Sequence, residues 1–316
     1  HGPTRDDVMK WARAEAKLET QKYKEEKTVN ISFNSTKRLQ PQQQDFYRGG
    51  YLFLQYFYYK LGLDKVCRKI RDKYSFKFDI NAILSDLIYS RILEPSSKRS
   101  SYKCALDFLE PPSYQLHDVY RSLNILAKEC DLIQSETYKN SHLLGKRNDK
   151  ILFYDCTNYY FEIEDEDGIK KYGKSKEHRP NPIVQMGMFM DGDGIPLAFS
   201  LFPGNANEQT SIKPLEEKIL NEFDCQKFIY CSDAGLGSEK IRKYNHMGER
   251  AFVVTQSIKK LNAQDRQWAL DTKGFKRLSD DKVVDLSEIS KDDEAIYYKD
   301  APYTPKDLSQ RLIITY

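Results

Sequence analysis

The sequence lacks the features that define membrane, secreted and zinc-bound proteins. No apolar run approaches the roughly 18 residues that are needed to cross a bilayer. The first residues, HGPTRDD, lack the basic and then apolar layout of a secretion signal. The six cysteines include no CxxC pair, and their spacing indicates neither a zinc site nor a disulfide framework. We therefore expect reduced thiols in a cytosolic protein that has no role at a membrane.

An excess of one charge is also lacking over the whole chain, but the charge is unevenly distributed. The 316 residues carry a net charge of only +3. Residues 1–150 hold 27 Lys and Arg against 19 Asp and Glu, whereas residues 151–316 hold 23 against 28. This asymmetry favours a first part that contacts a polyanion and a second part that holds cations. A chance imbalance would give the same counts.

Aromatic residues, in contrast, are plentiful, with 22 Tyr and 16 Phe, so the chain can bury a sizeable core. Its length favours more than one domain. We divide it into an N-terminal arm at 1–44, a helical region at 45–150, a sheet domain at 151–260 and a β-rich segment at 261–316. The arm combines a polar helix at 4–27 with a Gln-rich link at 38–44.

The helical region begins at Gly49 and contains several short amphipathic helices, one of them with Asp79 as its expected N-cap. Residues 96–101, SSKRSS, form a basic turn between two of these helices. Such a pair could make a contact with DNA that resembles a helix-turn-helix, through Lys98, Arg99 and the nearby Lys103. A capped, solvated loop explains the same residues.

At Ile151 the hydrophobic period changes from helical to strand-like. The order that follows is β-β-β-α-β-α-β, with the hairpin signal DGDG at 191–194. An antiparallel meander followed by crossover helices predicts an α/β domain with a mixed five-stranded sheet and flanking helices. From residue 261 onward, short apolar runs in a charged stretch predict the start of a β-rich insertion.

Two acids stand out in this pattern. Asp155 lies inside the first strand, and Asp233 follows the fourth. If these strands are parallel neighbours, the carboxylates lie within a few ångströms and repel each other unless divalent cations separate them. Oxygen ligands suit Mg²⁺ or Mn²⁺, and two such ions activate phosphodiester chemistry. Alternatively, Asp155 pairs with Lys174, Lys176 or Arg179, and Asp233 caps the turn that follows it.

Three blocks resemble the DDE transposases of insertion sequences, which have a ribonuclease-H-like core. They are YDCTNYYFE, then GKSKEHRPNPIVQMGMFMDGDGIPLAFSLFPGNANEQT, then FIYCSDAGLGS. The first acid of the family matches Asp155, and the second, which opens D.G..S, matches Asp233. The family's third acid lies in a motif Y..R…E……K that is not found here. We therefore expect the chain to end inside the insertion, and neither Glu288 nor Glu294 to replace that acid.

The resemblance implies a prokaryotic enzyme that cuts transposon terminal repeats and joins them to target DNA, as a homodimer on the nucleoid with two Mg²⁺ or Mn²⁺ ions. It also adds candidate residues, each of which could instead be structural. The DNA-binding candidates in the matched loop are Lys174, Lys176, His178 and Arg179. The candidates that support the metal site are Thr157, Asn158 and Asn205. A catalytically inactive DNA-binding relative, or a metal-dependent nuclease without strand transfer, remains the alternative.

Overall fold

A computed structural model of the chain describes residues 9–11, 13–17, 46–223, 225–290, 292–305 and 308–316. The chain divides into two compact units, His1–Ile133 and Gln134–Tyr316. Most of the predicted arm lies outside the described residues, although 9–11 and 13–17 are helical. No helix in the described part of the chain is long and apolar enough to cross a membrane.

The first unit is helical around an aromatic core. Tyr51 stacks on Phe108 with ring centroids 4.5 Å apart, and Tyr58 and Tyr89 pack edge to face beside them. These side chains are all buried, so their area dominates the stability of the unit. The helices are α1 (Tyr51–Lys60), α2 (Leu63–Lys73), α3 (Ile80–Leu93), α4 (Lys98–Leu106) and α5 (Leu116–Lys128), followed by α6 (Cys130–Ser141) at the boundary between the units.

Helix caps explain where α3 and α4 begin. The Oδ1 of Asp79 accepts hydrogen bonds from the backbone N–H groups of Asn81 and Ala82, which confirms the predicted cap. Ser97 caps α4 by accepting from the N–H of Ser100 at 3.2 Å. The prediction of a basic turn over 96–101 is therefore wrong for residues 98–101. Because Ser97 ends the turn, residues 98–101 form the first turn of a helix.

The second unit contains the predicted five-stranded mixed sheet. Its strands follow the order β3-β2-β1-β4-β5. The β1–β2 and β2–β3 pairs are antiparallel, whereas β1–β4 and β4–β5 are parallel, as in the ribonuclease-H-like sheet that was expected. The elements are β1 (Ile151–Tyr160), β2 (Ile183–Asp191), β3 (Pro196–Pro203), α7 (Glu208–Glu222), β4 (Ile229–Ser232), α8 (Glu239–Tyr244) and β5 (Ala251–Val254).

The two faces of β1 differ. Leu152, Tyr154 and Cys156 are buried in the core that α7 covers, while Phe153 and Asp155 are exposed on the other face. The Tyr154 ring fits here only because residue 187 of β2 is glycine. A Cβ at that position would lie 2.1 Å from the Tyr154 hydroxyl oxygen. The hydrophobic alternation of β1 thus presents Asp155 to solvent.

The β2–β3 hairpin has the predicted DGDG turn and a buried ion pair at its base. One oxygen of Asp191 accepts from the backbone N–H groups of Asp193 and Ile195, at 3.0 and 2.9 Å. The other accepts from Arg147 Nε at 2.6 Å. Burial acts to raise the pKa of Asp191, but the Ile195 N–H and the Arg147 guanidinium outweigh it and lower that pKa.

The remaining residues form a second, antiparallel sheet, as the β-rich pattern predicted. Its strand order is β7-β6-β8-β9. Leu261, Ala269 and Leu312 form the buried cluster that joins this sheet to the helix before it. The elements are α9 (Ala263–Leu270), β6 (Phe275–Arg277), β7 (Val283–Val284), β8 (Tyr297–Tyr303) and β9 (Gln310–Thr315), with short 3₁₀ turns at Ile258–Lys260 and Leu286–Glu288.

Candidate active site

Asp155 and Asp233 are related by the register of two neighbouring parallel strands, β1 and β4. The paired residues of β1 and β4 end with Phe153 opposite Cys231. Asp155 lies two residues after Phe153, and Asp233 lies two residues after Cys231. Because side chains alternate along a strand, Asp155 shares the exposed face of Phe153, opposite the buried core, whereas Asp233 directly follows the last residue of β4. Neighbouring strands are about 4.8 Å apart, so this register is compatible with the predicted pair of acids, which stays a prediction.

Asp155 is exposed, and a lysine lies beside it. Its side chain is 68% accessible, and its Oδ1 accepts from the N–H of Cys156 at 2.8 Å. The ammonium of Lys176 lies 4.0 Å from the same oxygen and donates to the carbonyl of Cys156. The alternative expectation, a strand acid paired with a nearby base, is therefore present. An exposed pair of this kind contributes less than about 1 kcal/mol to stability.

Asp233 organises the turn that follows β4. Its Oδ1 accepts from the N–H groups of Gly235 and Leu236, at 3.1 and 3.2 Å. The carbonyl of Gly235 in turn accepts from the side-chain amide of Gln209 at 2.8 Å. Ser238, not Asp233, occupies the N-cap position of α8. The aspartate thus holds the backbone of the AGLGS turn, and that turn fixes the direction of its carboxylate.

The two oxygens of each aspartate are in different environments. In each, Oδ1 is bound to backbone N–H groups, while Oδ2 makes no hydrogen bond to the described residues. Mg²⁺ is typically held by one or two carboxylates together with substrate phosphates and water, and these two oxygens fit that pattern. Among the described residues, no group of three or more acidic, histidine or cysteine side chains could hold a metal ion.

A loop over residues 173–179 lies against β1 and brings Lys176 to Asp155. The side chain of Asn158 donates to the carbonyl of Lys174 and accepts from the N–H of Lys176, both at 3.3 Å. The buried Ser175 hydroxyl accepts from the N–H groups of Glu177 and Arg179. Asn158 therefore anchors the loop and acts on Asp155 through Lys176. Thr157, which precedes Asn158 on β1, is only half-buried.

The other basic residues of this loop are exposed. Lys174 and His178 face solvent, and His178 has a left-handed backbone with φ +55°. The guanidinium of Arg179 lies 4.6 Å from the ring centroid of Tyr160, at the end of β1, and its Nε is 3.6 Å from Glu177. Arg179 is therefore about five strand positions from Asp155, or roughly 16 Å along β1.

Asn205 lies away from the two aspartates. Pro203, which ends β3, pairs with Val184, and Val184 pairs with Tyr159. That level is four residues beyond Asp155, about 13 Å along the sheet. The PGN turn is fixed there by Gln185, whose amide donates to the carbonyls of Gly204 and Ala206, at 3.0 and 2.8 Å. The structure does not bring Asn205 together with the two acids.

The three basic candidates of the first unit lie on α4. Arg99 and Lys103 are exposed and four residues apart, so they share a helix face, and Lys98 is half-buried in the first turn. None of the three forms an ion pair with the described residues. Sequence reasoning missed one site residue of the second unit, Gln209, which holds the turn after Asp233. Its only signal was its place inside the matched NANEQT block.

No family model and no curated protein matches this sequence. Solved structures similar to it include the "Mos1 transposase paired-end complex with left transposon end", at 12% identity and TM-score 0.24, covering 80% of this chain and 68% of that one. The "piggyBac transposase synaptic complex with hairpin DNA" is 10% identical at TM-score 0.31, covering 79% of this chain and 56% of that one. The "Mos1 mariner paired end complex with Mn" is 13% identical at TM-score 0.24, covering 80% and 68%.

Proposed function

We propose that the chain is a DNA transposase of the DDE type, which cuts the ends of an insertion sequence and joins them to target DNA. One observation carries the proposal. Asp155 on β1 and Asp233 directly after β4, 78 residues apart in the sequence, each follow by two residues the last paired positions of two neighbouring parallel strands, and both are exposed. The order and spacing of the motif blocks add support, because they match the family over both acids and the loop between them.

In this proposal the free oxygens of Asp155 and Asp233 hold two divalent ions, Mg²⁺ or Mn²⁺. When bound, such ions activate a water or a 3′-hydroxyl and stabilise the leaving oxygen of a phosphodiester. The backbone N–H groups that bind the Oδ1 atoms keep both carboxylates oriented before substrate arrives. The third carboxylate is supplied from outside the described residues, since none of these completes a group of three.

The basic side chains have separate roles in the proposal. Lys176 compensates the charge of Asp155 and moves to a DNA phosphate when cations bind. Lys174, His178 and Arg179 contact the strand near the scissile phosphate, and the α4 residues Lys98, Arg99 and Lys103 contact duplex DNA. Phosphate contacts of this kind position a protein without reading sequence. We place the activity on the nucleoid of a prokaryotic cytoplasm, with the terminal repeats and target DNA bound by a homodimer.

A second candidate is a protein that binds DNA without cutting it. The observation that favours it is the position of Lys176, whose ammonium already lies 4.0 Å from Asp155. A lysine at that distance satisfies the charge of a carboxylate without any metal. The absence of a third ligand among the described residues points the same way. A metal-dependent nuclease that does not join strands is the intermediate case.

One assay separates these candidates. The chain is incubated with DNA that carries the element's terminal repeats and with a target plasmid, in Mg²⁺, Mn²⁺ or EDTA. A transposase yields nicks with free 3′-hydroxyls and joined products, lost in EDTA and in Asp155→Asn or Asp233→Asn. Asp165→Asn, which removes an exposed acid of the 164–167 turn, is the matched control and retains activity. Cleavage that survives Asp155→Asn would refute the catalytic role of that residue, and retention of DNA without cleavage would favour the second candidate.

A further inference from the structure

A cavity of about 410 Å³ opens at the carboxyl ends of β4 and β5. Its walls come from the turn and helix after β4, from the residues after β5, and from the ends of β8 and β9. Ala234, which directly follows Asp233, lines it, as does Thr255, which directly follows β5. Ligands of open α/β sheets typically bind outside the carboxyl ends of the strands. Its volume is within the range of small-ligand sites.

Two hydrogen-bond donors in the cavity wall have no partner among the described residues. Arg242 Nη1 donates to the side-chain oxygen of Gln310 at 3.3 Å. The Nε of Arg242 and the Nε2 of Gln310 are both buried, and neither makes a hydrogen bond within the described part of the chain. A buried donor without an acceptor costs about 1–3 kcal/mol. Because both atoms are shielded from solvent, an acceptor that binds in the cavity reaches them when the side chains of Arg242 and Gln310 move apart.

The charges of the cavity wall favour an anion. Arg242 and Lys260 are cationic, and Lys260 forms no ion pair with the described residues. The acid in the wall, Glu239, has its charge compensated by Lys243 at 2.9 Å. The guanidinium has a fixed geometry that matches phosphate oxygens, and the amide of Gln310 extends the same donor set. A ligand with several phosphate oxygens would satisfy both donors at once.

We infer that this cavity binds a phosphate group of the DNA strand that passes Asp233, one or two nucleotides from the scissile phosphate. The inference rests on the proposed function and adds a strand-holding site, formed by Arg242, Lys260 and Gln310, to the two aspartates. The short distance in sequence between Asp233 and the cavity supports it, because a strand that meets the carboxylate continues past Ala234. A free mononucleotide would offer the same phosphate chemistry.

The test measures binding without catalysis. A fluorescein-labelled single strand of a dozen nucleotides is titrated with the full chain in EDTA, and fluorescence anisotropy is followed at several salt concentrations. Arg242→Gln should weaken binding at least about tenfold, because a charge-assisted contact is lost. The slope of log K against log salt should become less steep by about 0.7. Lys260→Gln, whose exposed side chain makes no hydrogen bond or ion pair within the described structure, should act in the same direction without affecting folding.

Lys227→Gln is the matched control, because Lys227 lies just before β4, at the opposite end of that strand, and pairs with Glu249. It should leave affinity and slope unchanged within twofold. Deoxyadenosine monophosphate and inorganic phosphate are titrated separately, and tight binding of either would overturn the assignment to a DNA strand. If the Arg242 and Lys260 variants both bind like wild type, the Arg242–Gln310 bond is purely structural and the inference is wrong. If the variants weaken binding in a chain that never cleaves, the cavity binds a DNA phosphate but the proposed function, and with it the place beside a scissile phosphate, is wrong. If cleavage is metal-dependent but both variants bind normally, only the inference about the cavity fails.

Discussion

The ammonium of Lys176 lies 4.0 Å from Asp155 Oδ1 and also donates to the carbonyl of Cys156, the next residue on the strand. The lysine therefore lies beside Oδ1, while the proposed site offers the other oxygen, Oδ2, to a divalent ion. Lysine and cation compete for one negative charge, because each gains its energy from the same carboxylate. This relationship gives the proposed metal site a direct test.

We predict that Lys176→Gln binds Mn²⁺ more tightly than wild type. Removing a unit charge 4 Å away in a solvent-exposed setting is worth about 1 kcal/mol, or about fivefold in affinity. Free Mn²⁺ is measured by electron paramagnetic resonance during titration. Lys174→Gln removes the same charge from the same loop without touching Asp155 and should change the affinity less than twofold. Equal affinities for Lys176→Gln and wild type would show that the lysine does not compete with the ion.

Structural features that depend on residues close together in the sequence could be predicted, whereas contacts between separate segments could not. The strand around Asp155, the hairpin at Asp191 and the cap at Asp79 all follow from patterns within a few residues, and the structure confirms each. The choice among Lys174, Lys176 and Arg179 as the partner of Asp155 could not be made, because it depends on how Asn158 holds the loop against β1.

Contacts between distant residues escaped prediction for the same reason. Arg242 lies on α8 and Gln310 on β9, 68 residues apart in the second unit, so no periodicity connects them. The wrong prediction over residues 96–101 concerned neighbouring residues and had a chemical cause. Ser97 and Lys98 have similar polarity, and only the hydrogen bond from Ser100 to the Ser97 hydroxyl shows where the turn ends and α4 begins.

We expect the Arg147–Asp191 pair to be essential for the stability of the second unit. Both side chains are buried, and Asp191 also accepts two backbone N–H groups of the hairpin. Asp191→Ala leaves a buried guanidinium unpaired, so it should lower the free energy of unfolding by about 3–5 kcal/mol in urea denaturation. Asp193→Ala, in the same turn but exposed, is the control and should cost less than about 1 kcal/mol.

The pH dependence of this pair has a defined sign. The pKa of Asp191 is lowered in the folded chain, so its stabilisation is present above the unfolded pKa near 3.8 and is lost as pH falls through the folded value. Wild type should therefore lose stability below about pH 4, and Asp191→Asn should show less of this loss. If Asp191→Asn loses as much stability below about pH 4 as wild type does, Asp191 is not the cause of that loss.

Glu216 should give the opposite dependence in a separate pH window. It is fully buried on α7, accepts from Asn245 at 3.1 Å and lies 3.8 Å from Arg250, while its Oε1 makes no hydrogen bond to any described residue. Burial raises its pKa from 4.5 to about 7, and the Asn245 hydrogen bond and the Arg250 charge only partly oppose this. Its contribution to stability is complete below pH 4.5 and is lost as pH rises to about 7, a change of up to about 3 kcal/mol.

Glu216→Gln should remove that fall and be more stable than wild type at pH 8. Denaturant unfolding at several pH values measures it, with the exposed Glu217→Gln as the matched control. Asp86, in the first unit, is a second buried acid whose pKa burial raises to about 7. The loss of stability that Asp86 causes as pH rises should remain in Glu216→Gln and should disappear only when Asp86→Asn is added. A Glu216→Gln profile parallel to that of wild type would show that Glu216 is ionised in the folded chain.

The α4 residues allow a test of DNA contact that does not depend on catalysis. Arg99 and Lys103 share one exposed helix face, and neither has an ion-pair partner among the described residues. Each phosphate contact steepens the salt dependence of duplex binding by about 0.9 in the log–log slope, so Arg99→Gln with Lys103→Gln should flatten it by about 1.8. Lys65→Gln, which changes an exposed lysine of α2 in the same unit, is the control for general charge and should leave the slope unchanged.

Binding measured by electrophoretic mobility shift on unrelated duplexes should weaken to the same extent on every sequence, because phosphate contacts position the protein and carry no base information. A loss confined to one sequence would instead assign α4 to base recognition in a groove.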